Sequence, residues 1–241
     1  MALQHLEEVF VLKIRIKFAK RGPMKFISHL DVMRYFQKVI KRADIDICYS
    51  EGFNPHQIMS FAAPLGVGIT SEAEYLDISV NSTESTKIAL EKLNEVSAED
   101  MPVLSYKLLS DNDTKAMTLV AASDYFVSFR DGYKPDFDID KAIVAFNEKE
   151  SFVITKETKK GTKEMDIRPL VYEFKTVDGG YFMKVAAGSV DNLKPELVFS
   201  AIYSENGREF ENIALNIQRL EIYGYLDEKL VPLEGFGEDI E

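Results

Sequence analysis

Three long cations near the start of the chain are spaced so that they could bind phosphate groups. In the stretch FVLKIRIKFAK, Lys13, Arg15 and Lys17 occupy every second position, with apolar residues between them. A period of two predicts a half-buried strand, so the three cations share one face of it. On an open sheet face they would suit an RNA backbone. The alternatives are that they solvate the sheet or pair with acidic residues elsewhere in the chain.

A second basic stripe is predicted on the helix that follows. Ser28 is a suitable N-cap and Asp31 lies three residues later, so the helix is expected from about residue 29 to residue 43. Arg34 and Lys38 are one turn apart on its surface. We treat both as candidate RNA contacts, although a solvated helix face is the simpler interpretation.

A histidine in the first turn of this helix is the one candidate for catalysis. The helix dipole disfavours a charged imidazole there, so His29 is a candidate general base, with Lys25 or Arg21 stabilising phosphate charge. The simpler interpretation is that His29 supports the cap. A zinc site from His29, His56 and Cys48 is not expected, because no two of them have the short spacing of zinc motifs. We expect no cofactor.

The stretch YSEGFNPHQIMSFAAPLGVGI, residues 49–69, is unusually rich in glycine and proline. Asn54 precedes a proline, which favours a turn, and Gly66 permits close backbone approach or positive φ. The candidate binding residues are Asn54, His56 and Gly66. We expect the segment to form one wall of a cleft facing Ser28 and His29, anchored by three buried side chains: Phe53, Met59 and Phe61. A connection that only covers the core is the alternative.

A lysine-rich stretch, TKETKKGTKEMDIRPLVYEF, predicts a hairpin around Gly161. Lys159, Lys160 and Arg168 are candidate RNA contacts, and a solvated hairpin tip is the alternative.

Charge and cysteine content exclude several classes of protein. The net charge of −11 argues against a protein that coats polyanions without selection, yet residues 11–42 hold ten basic residues and one acid, Asp31. The single cysteine, Cys48, rules out an intramolecular disulfide. The start of the chain has no basic-then-apolar signal pattern and no apolar run reaches 18 residues, so a cytoplasmic protein without membrane contact is expected.

The order of predicted elements favours an α+β protein with tandem ferredoxin-like (βαββαβ) domains. Residues 1–112 read as strand, helix, strand, strand, helix, strand, with IDICYS and AEYLDISV as the middle strands. Residues 118–241 repeat that order. There, MDIRPLVYEFKTV is expected to pair with GGYFMKVAAGS through a turn at Asp178 and Gly179.

Several long stretches together resemble a known family. They are SHLDVMR, YSEGFNPHQIMSFAAPLGVGI, SEAEYLDI, KKGTKEMDIRPL, GSVDNLKPELV and QRLEIY. The chain is similar to the radical-SAM-linked proteins, uncharacterised proteins encoded beside or fused to a radical-SAM enzyme with a cobalamin-binding domain. The resemblance implies such an enzyme as a partner. This chain is not expected to be the radical enzyme, whose iron–sulfur cluster needs three cysteines.

Three functions therefore remain open at this point. The leading hypothesis is an accessory protein, without catalysis of its own, that binds RNA or an RNA-associated substrate for the radical-SAM partner. The second is a metal-independent RNA-processing enzyme, by analogy with CRISPR repeat-processing endoribonucleases of similar expected fold. The third is a protein-binding adaptor without nucleic-acid contact.

Overall fold

The computed structural model describes residues 11–110, 114–158 and 161–241. The strands are β1 (Leu12–Lys20), β2 (Met59–Phe61), β3 (Thr70–Val80), β4 (Val103–Leu109), β5 (Ala122–Phe129), β6 (Val153–Thr158), β7 (Gly161–Asp166), β8 (Val171–Val177), β9 (Gly180–Ala186), β10 (Leu215–Leu226) and β11 (Lys229–Pro232). The α-helices are α1 (His29–Arg42), α2 (Thr86–Val96), α3 (Ala116–Leu119), α4 (Ile139–Asn147) and α5 (Pro195–Glu205).

One mostly antiparallel sheet runs through both halves of the chain, which confirms an α+β architecture. Its strand order is β4-β1-β3-β10-β5-β9-β8, with β2 on the edge of β3 and β11 on the edge of β10. In the first half, β4 lies beside β1, β1 beside β3, and β3 beside β2. In the second half, β10 lies beside β5, β5 beside β9, and β9 beside β8. The hairpin of β6 and β7 forms a separate two-stranded sheet.

A short parallel contact joins the two halves of the sheet. Thr70 and Ser71 at the start of β3 pair with Gln218 and Arg219 of β10. The remaining paired strands of the described residues are antiparallel. We refer to this contact and the side chains around it as the seam. The division into two domains stays a prediction.

The long helices cover one face of the sheet because the strands place their apolar residues there. In the first half, Ile14 and Ile16 pack with Phe36 and Ile40 of α1. In the second half, a larger cluster joins β5, β8, β9 and β10 to α4 and α5, with Val127, Met183, Phe174, Ile217 and Phe199 among its members.

A smaller apolar cluster covers the other face at its centre. It joins Tyr75 of β3 and Ile222 of β10 to Ala116 of α3 and to Leu233, in the turn that follows β11. The face opposite the long helices is therefore closed at the centre of the sheet.

Local sequence signals set several boundaries as predicted. The Ser28 hydroxyl accepts a hydrogen bond from the Asp31 amide at 3.3 Å and donates one to the Asp31 carboxylate at 2.6 Å, which caps α1. The hairpin of β8 and β9 turns at Asp178 and Gly179, where Gly179 has φ +77°.

Two predicted strands are wrong in their extent. IDICYS makes only isolated bridges, at Ile47 and Tyr49, and the edge strand is β2, inside the glycine-rich stretch. MDIRPLVYEFKTV is broken by a 3-10 turn at Arg168–Leu170, since Pro169 cannot donate to a sheet.

Replacing two glycines by alanine tests the packing around β9. A Cβ at Gly180 would lie 2.4 Å from the Val127 carbonyl oxygen and 2.9 Å from the Phe126 ring, whereas a Cβ at Gly66 would meet nothing within 4 Å. We expect Gly180→Ala to lower the free energy of unfolding by about 1–3 kcal/mol, as overpacking does. We expect Gly66→Ala to be neutral or stabilising by up to about 1 kcal/mol. Urea denaturation measures both, and equal effects would contradict this packing.

Candidate nucleic-acid interface

Arg15 and Lys17 of β1 do not project from an open sheet face, contrary to the prediction. Arg15 is 0% exposed. Its guanidinium donates to the two carboxylate oxygens of Asp77 at 2.8 and 3.0 Å, and to the carbonyl oxygens of Leu233 and Thr114 at 3.1 Å each. A buried charge needs such partners, because desolvating it unpaired is costly. Arg15 is therefore part of the protein interior.

Lys17 is also held inside the protein. Its ammonium group lies 2.7 Å from a Glu221 carboxylate oxygen and 2.6 Å from one of Glu234, and the Tyr75 hydroxyl donates to the other Glu221 oxygen at 2.7 Å. Burial acts to lower the pKa of Lys17, but hydrogen bonds to the two carboxylates outweigh it and raise that pKa above its ordinary value. Pairing with distant acids, the alternative considered above, is what the structure shows.

Lys13 is half-buried between Ser79 of β3 and Leu109 of β4. The prediction of an open face failed because the alternation of residues in the sequence shows which side chains share a strand face. It does not show which other elements cover that face. The cover for Arg15 and Lys17 comes from residues 114–119 and 221–234, far along the chain. Charge reversal at Arg15 and Lys17 would break the interior and cannot test binding.

The basic residues of α1 are exposed, as predicted, but they lie on the opposite side of the sheet from Arg15. Arg34 is 3.7 Å from Asp31, and Lys38 is exposed. His29 is exposed at the start of α1, with its ring edge-on to Phe61 at 5.1 Å between centroids.

The glycine-rich segment reaches the start of α1 through its apolar end. Phe61 contacts His29, and the Gly68 amide donates to the Lys25 carbonyl at 2.7 Å. At the other end, Asn54 and His56 are exposed, and His56 Nδ1 lies 2.8 Å from the Ser50 hydroxyl. The segment thus faces His29 with a different set of residues from the predicted polar ones.

Two further expectations about this segment need correction. Phe53 does not anchor the segment but is fully exposed at the loop tip. Met59 and Phe61 are half-buried against the apolar cluster of the first half. Gly66 has an ordinary φ and open space around it, so the structure does not require glycine at this position. Gly68 has φ +95°, a conformation that favours glycine.

Arg168 has a structural role instead of a place on a binding hairpin. Its guanidinium donates to the carbonyl oxygens of Val171 at 2.8 Å and Asn147 at 3.1 Å, and it lies over the Phe146 ring. It therefore ties the end of α4 to the start of β8. Lys159 and Lys160 lie outside the described residues, so their predicted RNA contacts stay predictions.

A cluster of buried charges lies at the seam, on the helix side of the sheet, where sequence reasoning placed none. Arg219 is 3% exposed and pairs with Glu74, and it donates to the Ala63 carbonyl oxygen at 2.8 Å. Lys20 is 2% exposed, and its ammonium group is 3.3 Å from the Ile27 carbonyl oxygen. Burial lowers the pKa of Lys20, against the attraction of Glu74. Two buried cations thus lie near one carboxylate, and Arg219 is the one that pairs with it directly.

The face opposite the long helices carries a straight row of side chains across the second half of the sheet. Cross-strand register pairs Gln218 with Phe126, Phe126 with Phe182, and Phe182 with Lys175. We call these four residues the aromatic row. Their neighbours in sequence, Val127, Met183, Phe174 and Ile217, point into the helix-side core, so the row lies on the other face.

The aromatic row is not covered by the rest of the described chain. Neither Phe126 nor Phe182 belongs to any of the three apolar clusters formed by the described residues. Phe126, Phe182 and Gln218 are half-buried, and Lys175 is exposed. The Lys175 ammonium group lies 5.1 Å from the centre of the Phe182 ring. The row therefore presents aromatic surface beside a cation.

The next row along the same face is charged. Asp124 accepts a hydrogen bond from Tyr223 at 2.6 Å, and the Lys184 ammonium group is 3.6 Å from Asp124 and 4.3 Å from the Tyr223 ring centre. Burial raises the pKa of Asp124, although Tyr223 and Lys184 act to lower it. This pairing fixes Lys184 beside the aromatic row.

The sequence did contain a signal for this surface. In SDYFVSFR and GGYFMKVAA, Phe126 and Phe182 alternate with core residues and share their strand faces with polar residues. An aromatic ring on the polar face of a strand is the unusual feature. Sequence reasoning recognised both strands but assigned no face to them, because their register was unknown.

The described residues therefore form a mixed α+β protein with an uncovered aromatic sheet face. The chain belongs to a family described as an uncharacterized protein conserved in bacteria (DUF2344), whose model matches residues 13–195. No curated protein matches the chain.

Similarity to solved structures is distant. A chain in the crystal structure of a Cbf5-Nop10-Gar1 complex is similar over 91% of this chain and 52% of that chain, at 12% identity and a TM-score of 0.43. This chain thus spans about half the length of that one. None of the helices in the described ranges has the length and apolar character needed to cross a membrane.

Removing each buried cation of the seam tests the charge imbalance there. Lys20→Met removes the cation without a carboxylate of its own, so we expect the free energy of unfolding to be unchanged or raised by about 1 kcal/mol or more. Arg219→Met leaves Glu74 buried and unpaired, so we expect a loss of about 3–5 kcal/mol. Denaturant titrations of the two variants give the comparison, and a larger loss for Lys20→Met would contradict it.

The lowered pKa of Lys20 also gives the sign of a pH effect. At pH values below the pKa of Lys20 in the folded protein, the buried lysine is charged and lowers the free energy of unfolding. As pH rises through that pKa towards the ordinary value near 10.5, the unfolded chain holds the extra proton and stability rises. This rise should be absent in Lys20→Met.

Proposed function

We propose that this protein is an accessory RNA-binding module that holds a single-stranded stretch of RNA for a radical-SAM partner enzyme. The observation that carries the proposal is the aromatic row, with two half-buried phenylalanines side by side on neighbouring strands of an uncovered sheet face. Single-stranded RNA is bound in this way by sheets whose aromatic side chains stack on unpaired bases.

The strand order supports a finer assignment of the fold. We assign two ferredoxin-like units, residues 1–112 and 118–241, because β4-β1-β3-β2 and β10-β5-β9-β8 repeat the same order relative to the chain. In the second unit, β5 and β9 are then the two central strands. A ferredoxin-like unit with helices on one face leaves the opposite face of these strands for a ligand, and Phe126 and Phe182 lie there.

Stacking supplies the binding energy that this acidic protein needs. Each base stacked on an aromatic side chain contributes about 1–3 kcal/mol, whichever base it is. Two such contacts give about 2–6 kcal/mol, so micromolar affinity, about −8 kcal/mol, needs about 2–6 kcal/mol more from other contacts. A net charge of −11 opposes binding through phosphate charge alone.

The cations beside the row then have a limited role. Lys175 lies at one end of the row and Lys184 in the next row, paired with Asp124. Lys25, whose ammonium group lies over the Phe26 ring, lines the cavity at the Gln218 end. A strand of RNA lying along the row meets a cation at each end, which fixes its position more than its affinity.

The radical-SAM partner rests on the resemblance in sequence alone. The resembling stretches GSVDNLKPELV and QRLEIY include the start of α5 and the middle of β10, so both lie in the second unit. Co-purification of this protein with the enzyme encoded beside it, with and without ribonuclease treatment, separates a direct contact from one bridged by RNA.

Substitutions in the aromatic row test RNA binding directly. We expect Phe126→Leu and Phe182→Leu each to weaken binding of a short labelled single-stranded RNA by at least about fivefold, since each loses one stacking platform. Fluorescence anisotropy measures the affinity. Phe53→Leu is the matched control, because Phe53 is fully exposed at a loop tip away from the sheet face. Equal binding by all four proteins would reject the proposal.

Salt dependence distinguishes stacking from phosphate binding. With about two phosphate contacts, the logarithm of the binding constant should fall with the logarithm of salt concentration with a slope of about −1.4. A slope steeper than about −4 would mean that many cations bind phosphate and that the aromatic row is not the main contact.

Metal-independent RNA cleavage is the second candidate and rests on His29. His29 lines a small cavity with Lys20 and Glu74, which brings a histidine, a cation and a carboxylate together at the seam. The predicted helpers are engaged elsewhere: Arg21 pairs with Glu72, and the Lys25 ammonium group lies over the Phe26 ring. Incubation with total cellular RNA, with His29→Ala as the control, tests this candidate.

A further inference from the structure

A small cavity opens at the Gln218 end of the aromatic row. Its volume is about 160 Å³, and its lining includes Phe126, Ser128, Asn216, Gln218 and Lys25. Sites for drug-sized ligands are larger, about 300–1,000 Å³. This cavity therefore suits one planar ring stacked on Phe126.

The carboxamide of Gln218 is held in a defined orientation beside this cavity. Its nitrogen donates to a Glu72 carboxylate oxygen at 3.2 Å, and the guanidinium of Arg21 in turn binds both oxygens of Glu72. An ionised carboxylate only accepts hydrogen bonds, so the nitrogen of Gln218 must face Glu72. One N–H of the amide is used in this way, which leaves its second N–H and its oxygen for another partner.

The glycine-rich segment closes the far side of the cavity. Gly68 lies in its lining with φ +95°, a conformation that favours glycine, and its amide donates to the carbonyl oxygen of Lys25 at 2.7 Å. This bond joins the segment to the turn at Gly22–Phe26. The cavity thus has a fixed wall as well as an aromatic floor.

A carboxamide with one free donor and one free acceptor matches one purine better than the other. The N7 edge of adenine offers an acceptor beside the N6 donor, and glutamine pairs with both. The corresponding edge of guanine offers two acceptors, N7 and O6, so the glutamine oxygen would face another acceptor. Strands are about 4.8 Å apart, so a base over Phe126 brings its edge to Gln218 on the adjacent strand.

From this geometry we infer that the cavity selects adenine in single-stranded RNA, with Phe126 stacking on the base and Gln218 contacting its N7 and N6. The inference rests on the proposed function and adds a base preference to it. Gln218 is then the residue that determines specificity, while Phe126 and Phe182 supply affinity for any base.

The test compares short labelled oligouridine with the same strand carrying one central adenine or one central guanine. The natural protein should bind the adenine strand about tenfold more tightly than oligouridine, and the guanine strand no more than about threefold more tightly. Gln218→Met, which keeps the side-chain length, should lose the adenine preference and keep its affinity for oligouridine.

A change in the RNA covers the case in which the Gln218 variant does not fold. An adenine strand with 7-deazaadenine removes the N7 acceptor and leaves the protein untouched. Its affinity for the natural protein should fall at least about threefold towards that of oligouridine.

The outcomes separate this inference from the proposed function. Equal binding of all strands by the natural protein, a guanine preference, or no effect of 7-deazaadenine overturns the adenine inference and leaves RNA binding standing. An equal loss of oligouridine and adenine binding in a folded Gln218→Met protein makes Gln218 a general contact and also overturns it. Binding of none of the strands overturns the proposed function.

Discussion

The requirement that buried charges be paired governs how the two halves of this protein meet. Lys17 from the first strand is bound by Glu221 and Glu234, residues 204 and 217 positions later in the chain. Arg219 from the last long strand is bound by Glu74. These pairs cross the seam, where the strands themselves share only two parallel residue pairs. Because an unpaired partner would be strongly destabilising, the pairs fix the position of one half against the other.

This arrangement explains the uneven charge along the chain. In the basic start of the chain, Arg15 and Lys20 are buried and Lys17 is held by two carboxylates. Arg34 and Lys38 are exposed, but they lie on the other side of the sheet from the aromatic row. The basic start therefore offers little cationic surface on the face that carries the aromatic row. In the proposed function, the aromatic and amide side chains of that face make selective contact with unpaired bases instead of relying on general attraction to a phosphate backbone.

The glycine-rich segment contacts both the charged seam and the cavity beside the aromatic row. Its Ala63 carbonyl oxygen accepts a hydrogen bond from Arg219 at the seam. Its Phe61 packs against His29 in the first half, and its Gly68 lines the cavity beside the aromatic row. A chain that turns at several points while contacting both faces of a sheet needs positive φ at some residues, and Gly52 and Gly68 supply it. The composition of the segment thus follows from the path it takes.

The sequence by itself determined the local elements. The alternation in FVLKIRIKFAK fixed β1, Ser28 fixed the start of α1, and Asp178 and Gly179 fixed the hairpin of β8 and β9, because each signal acts over a few residues. Element order also predicted the mixed α+β class. Only the tertiary structure decided which side chains reach solvent. Arg15 and Lys17 looked available until residues from the far end of the chain covered them. Phe126, Phe182 and Gln218 became neighbours only through the register of three strands that are distant in sequence. Burial and cross-strand contact depend on partners of large sequence separation, and a local pattern carries no information about those partners.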